Sequence, residues 1–314
     1  MRGAFDRVWY PPAPPERLAV LRLLIGGSAL VYLLVRFGHL VGVTRFPARQ
    51  FHPVGPIELL SAPLPGFVAV TLVVLAIVAG VGFVAGWRFR LTGPLFAALL
   101  LWVTSYRNSW GMVFHTENLM VLHVIVLGLA PSADVLSLEH RRERGEAHGR
   151  YGWAIRLMCV VTVATYFIAG LAKLQHAGLE WVTSDTLRNY VAYDNVRKAE
   201  LGASYSLLGA FLVRYDFVFP PIAAASLGLE LGAPLALLHR RVGVAWAVGA
   251  WGFHFGVLVI MAIVFHYPLL GFAYLPLLRV ERLYERLRPR LVRWAGRGSG
   301  PGRGAPTQTA PHDR

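Results

Sequence analysis

Two ionisable residues stand in apolar stretches of this chain where burial makes charge expensive. Lys173 closes Tyr166-Phe167-Ile168-Ala169-Gly170-Leu171-Ala172-Lys173-Leu174, the end of an apolar run that begins near Trp153, and no other apolar run contains a lysine. Glu230 lies in the middle of another run, within Leu227-Gly228-Leu229-Glu230-Leu231-Gly232-Ala233-Pro234. A charged side chain at the centre of a bilayer costs roughly 2.5–3.5 kcal/mol on insertion scales, so each of these residues needs a reason to be there. Lys173 has two readings: a base held in a low-dielectric surrounding, or a side chain that snorkels to the headgroups with its stem along the helix. On a helix, Tyr166, Ala169, Gly170 and Lys173 share one side, where small residues admit another backbone or a flat ligand. Glu230 must be protonated, paired or hydrated. Its expected partners are Arg22 and Arg156, each in a different apolar run, and its expected role is structural charge pairing. Histidines fall at His115 and His266, near the ends of runs, and at His123 and His254, inside them. No two have the close helical spacing of a zinc site, and Glu117 beside His115 does not complete one, so no metal is expected.

The elements that must position these residues follow from composition. Of 314 residues 55% are hydrophobic and only 15% charged, and mean hydropathy is +0.50. Long apolar runs joined by short Arg-rich or Pro/Gly-rich connectors are the pattern of an all-α, polytopic transmembrane helical bundle. The runs are about 18–40, 67–86, 92–106, 118–136, 153–175, 218–238, 243–264 and 267–278, which predicts eight spans. The third and last are short for a span of about 17–25 residues, so either their ends extend into flanking sequence or they are partly re-entrant. The first run lacks a small-residue cleavage site and is read as a retained span.

Net charge is +14, but 29 of the 31 basic residues are arginines concentrated in connectors and tail. The positive-inside rule accounts for that distribution, and a soluble basic face for nucleic acid is missing. With the amino terminus inside, inside segments hold 20 basic residues and outside segments 7, which predicts both termini in the cytoplasm, an even number of spans and residence in the plasma membrane. The long outside connectors 41–66 and 176–217 are expected to form short interfacial helices over the bundle mouth. Residues 1–283 form the transmembrane domain, and 284–314 a basic, mostly disordered tail attracted to anionic lipid. Cys159 is the only cysteine, so no intramolecular disulfide is possible.

Several of these segments resemble the vitamin K-dependent gamma-carboxylase family and its bacterial relatives, the HTTM proteins. Tyr166-Phe167-Ile168-Ala169-Gly170 followed by Lys173-Leu174 carries the likeness furthest. Leu18-Ala19-Val20-Leu21-Arg22 resembles the family's first span, and Phe89-Arg90 the Tyr-Arg that opens the third. Ser109-Trp110 followed by His115 resembles its Ser-Trp-Asn-Asn-His segment, with Trp-to-His spacing of five where the family has three. Leu229-Glu230-Leu231 stands where the family has Leu-Asp-Leu, and Phe253-His254 where it has Phe-His.

The resemblance implies an enzyme in which the membrane lysine, here Lys173, deprotonates a reduced naphthoquinone of vitamin K or menaquinone type. With O2 the quinol then supplies a strong base that removes a proton from a glutamyl gamma carbon, and CO2 is captured as the quinone leaves as an epoxide. It implies a charge-stabilising role for His115, places Tyr166, Gly170 and His254 around the cofactor, and leaves Arg22, Arg90 and Glu230 to charge pairing. The animal enzyme continues into a lumenal domain that presents glutamates, so the substrate here is expected to be small, membrane-delivered or presented by another protein, on the extracytoplasmic side. A second reading is a non-catalytic accessory that binds quinone or lipid or helps mature a secreted peptide. An ion path through Arg22, Arg156 and Glu230 ranks lowest, since no internal repeat is visible.

Overall fold

The computed structural model describes residues 3–111, 113, 116–140, 145–286 and 288–289. Of the described residues 76% are helical, and no strand occurs among them beyond a single bridge between Ala13 and His148. Helices of twelve residues or more are labelled here in chain order: α1 Pro15–Val35, α2 Gly66–Ala85, α3 Phe89–Asn108, α4 Asn118–Leu129, α5 Gly149–Ala177, α6 Thr186–Glu200, α7 Phe219–Leu231 and α8 Arg240–Met261. Four of them, α1, α2, α5 and α8, are long and apolar enough to cross a membrane. The outward apolar side chains of α2, such as Val78 and Val81, are more than half exposed, as lipid-facing residues should be in a bundle whose surroundings are as apolar as its core.

Helices pack closely where glycines allow it. A Cβ on Gly26 of α1 would lie 2.4 Å from Phe83 of α2, and one on Gly93 of α3 would lie 2.6 Å from the Gly128 carbonyl of α4. Within α1 a single π turn, Arg22–Gly26, interrupts the α-helix, and it begins at the fully buried Arg22.

The two short runs resolve differently. The third extends at both ends into the 20-residue α3. The last breaks into a four-residue helix, His266–Leu269, and a 3-10 stretch, Phe272–Leu277, separated by Gly271 at φ +82°. Six 3-10 residues rise only about 12 Å, well short of the ~30 Å hydrocarbon thickness. Tyr267, Ala273, Tyr274 and Leu277 are buried against the other helices, so this run is packed inside protein, where irregular backbone is tolerated. The 176–217 connector does form short helices: Glu180–Thr183, α6 and Leu207–Leu212. Most of the predicted basic tail lies outside the described residues.

Candidate functional site

Helix α5 supplies the axis of the site. Its 29 residues rise roughly 43 Å, and Lys173 lies one turn before the end, at Ala177. The Lys173 ammonium donates to both carboxylate oxygens of Glu230, at 2.7 and 2.6 Å. Glu230 comes from the last turn of α7 and its side chain is only 5% exposed, whereas that of Lys173 is 20% exposed and leaves one side of the pair open. Gly170 is why the two helices meet here: a Cβ at that position would stand 2.9 Å from Glu230 Cβ and 3.1 Å from Leu231. The ring centroids of Trp181 and Phe253 lie 4.8 and 5.7 Å from Lys173 Nζ. Such aromatic faces attract the cation and form flat apolar walls.

Seven residues earlier on the same face of α5, about 10 Å down the axis, the chemistry changes from charged to neutral. The Tyr166 hydroxyl lies 2.8 Å from His254 Nε2 and 2.6 Å from the Tyr274 hydroxyl, and the Trp246 ring meets Tyr166 edge-on at 5.0 Å. A turn further down, Thr162 Oγ1 is 3.0 Å from His123 Nε2, and His123 Nδ1 is 2.7 Å from the Tyr267 hydroxyl. Thr162, Tyr166, Gly170 and Lys173 therefore form a seam along one helix face, whose polar members find partners on α4, α7, α8 and the broken last run. Pairing of buried polar groups is what a low-dielectric surrounding demands, because an unmet donor or acceptor there costs its full desolvation.

The expected charge pairs are rearranged. Glu230 pairs with Lys173 and not with Arg22 or Arg156. Arg22 instead donates through Nη2 to the Leu136 carbonyl at 2.5 Å, with its guanidinium 5.8 Å from the Phe89 ring, and Arg156 donates to the Leu237 carbonyl at 3.0 Å. Each of the two arginines thus turns to a carbonyl freed at a helix end or an irregular turn. Arg90, expected in charge pairing, is exposed and forms no ion pair or hydrogen bond among the described residues. Gly170, expected at the cofactor, is covered by the stem of Glu230, so its small size serves helix contact. Ala169 does not join the buried face and is exposed. His254 and Tyr166 do come together, and His266 is exposed. His115 lies outside the described residues.

Trp181, Trp246 and Tyr274 belong to this region although spacing did not single them out. They reach it from three separate segments, and only the aromatic content of those segments hinted at them. The family model of the HTTM domain matches residues 10–279, which includes Lys173, Glu230 and the Tyr166 network. Searches of curated proteins and of solved structures return no match.

Proposed function

Because the chain belongs to the HTTM family, whose domain is the membrane domain of the vitamin K-dependent carboxylase family, we propose that it is an integral membrane enzyme acting on a reduced naphthoquinone, with Lys173 and Glu230 as its proton-handling pair. The observation that carries this reading is the bidentate contact of Lys173 with a buried carboxylate at the edge of the bundle. Moving one proton along that hydrogen bond, from Nζ to Oε, leaves a neutral amine beside a neutral acid and removes two charges from a poorly solvated site. The amine can then accept a proton from a hydroxyl brought to its open side. Glu230 acts as a positioning residue that holds Nζ in place and takes up its proton.

A quinol, when bound, supplies the reducing equivalents and the strong base that the coupled carboxylation of a glutamyl-type substrate needs. Trp181 and Phe253 suit its flat ring, since their faces flank Nζ, and the lipid supplies a route for its isoprenoid chain. The Tyr166, His254 and Tyr274 network lies below the pair and fixes α5 against α8 and the broken last run. In this reading the site opens to the extracytoplasmic face of the plasma membrane, and O2 and CO2 are co-substrates.

The test is incubation of purified protein with reduced menaquinone or vitamin K, O2 and bicarbonate. Quinone epoxide is expected from the wild type and not from Lys173→Ala. Equal epoxide from both proteins would sink the proposal. Quinone that copurifies with the wild type without any turnover would favour the accessory reading.

A further inference from the structure

At the opposite end of the bundle from Lys173, a cleft of about 740 Å³ opens between the start of α3, the end of α4 and the connector that follows it. Its mouth is polar and carries Arg88, Arg90 and Arg150, together with Asp134 and Glu139. Both acids are already engaged: Asp134 accepts from Arg150 and from the Tyr151 hydroxyl, and Glu139 accepts from the backbone N–H of Arg88 at 2.8 Å. The guanidinium of Arg88 lies over the Trp87 ring, 5.3 Å from its centroid, and Arg90 has no protein partner among the described residues. Two arginines of the lining, Arg88 and Arg90, thus have no anionic side-chain partner among the described residues.

The walls running from that mouth toward the membrane interior are apolar. Leu91 and Leu129 are 61% and 64% exposed, and Pro94, Gly128, Ala130 and Pro131 continue the lining between α3 and the end of α4. A second observation comes from behind the cleft. Arg22 is fully buried, its Nε and Nη1 find no hydrogen-bond partner among the described residues, and the ring it faces, Phe89, lines the cleft. A buried guanidinium with unmet donors adds positive potential where little solvent screens it.

We propose that this cleft binds a phosphate-bearing anion, and that its occupant is the headgroup of an anionic phospholipid, with Arg88 and Arg90 on the phosphodiester and the acyl chains along Leu91 and Leu129. A free phosphate would satisfy the arginines and leave the apolar walls bare. A phospholipid covers both, and arginines at a membrane surface favour anionic lipid by an increment for each cation. The proposal is independent of the Lys173 chemistry.

Native mass spectrometry of the full chain released from nanodiscs containing equal phosphatidylglycerol and phosphatidylcholine tests it. The wild type is expected to retain one phosphatidylglycerol in preference to phosphatidylcholine. Arg88→Gln/Arg90→Gln should lower that preference about tenfold, while Arg214→Gln, an exposed arginine at the other end of the bundle, leaves it unchanged. Both sites are on the surface, so these variants fold. Unchanged retention in the double variant, or equal retention of the two lipids by the wild type, overturns the proposal. Loss of bound lipid on adding millimolar inorganic phosphate at constant ionic strength would assign the cleft to free phosphate and overturn its lipid part.

Discussion

At the scale of single residues, Lys173 and Glu230 are each explained by the other. Removing one side of a buried pair strands the remaining charge, which destabilises by about 3–5 kcal/mol, and the partial exposure of Lys173 places this pair toward the lower figure. Lys173→Met should therefore lower the unfolding temperature in detergent, because the carboxylate left behind is almost fully enclosed. Lys173→Met/Glu230→Leu, which removes both charges, should recover most of the loss. A single variant as stable as the wild type would show that the two side chains do not depend on each other. The expense of each charge was legible in the sequence from the apolar residues around it. Its partner was not: Lys173 and Glu230 are 57 residues apart, and the sequence pointed to Arg22 and Arg156 as partners of Glu230, whereas packing brought Lys173 to it.

At the scale of elements, the contact of α5 with α7 turns on Gly170. Since a Cβ there already lies 2.9 Å from Glu230 Cβ, Gly170→Val should push the helices apart, cost about 1–3 kcal/mol by overpacking, and loosen the Lys173 contact. Gly228 of α7 provides the control, because nothing lies within 4 Å of a Cβ built on it, and Gly228→Ala should be neutral or slightly stabilising. Thermal unfolding of the two variants side by side gives the comparison, and equal destabilisation by both would remove the special role of Gly170. The long helices were readable from hydropathy alone, but the last run was not. Its apolar residues suit a span, yet Gly271 breaks it and tertiary packing buries the pieces, which a window of mean hydropathy cannot distinguish from lipid exposure.

At the scale of the molecule, the proposed orientation places the connector before α5 in the cytoplasm and the connector after it outside. In a Cys159→Ala background, single cysteines at Leu138 and Leu201, which are 62% and 72% exposed, report on the two ends. A membrane-impermeant thiol reagent should label position 201 in intact cells and position 138 only after the membrane is opened; the reverse pattern would invert the topology. By itself the sequence determined that this is a helical membrane protein of a particular family, because hydropathy and short ordered motifs are local properties that survive any arrangement of the helices. It also marked Lys173 as costly. Only the tertiary structure decided that Lys173 meets Glu230, that Gly170 serves the contact between their helices, and that Trp181 and Phe253 wall the pair. Those facts depend on which helix faces come together, and that is settled by close packing between segments distant along the chain.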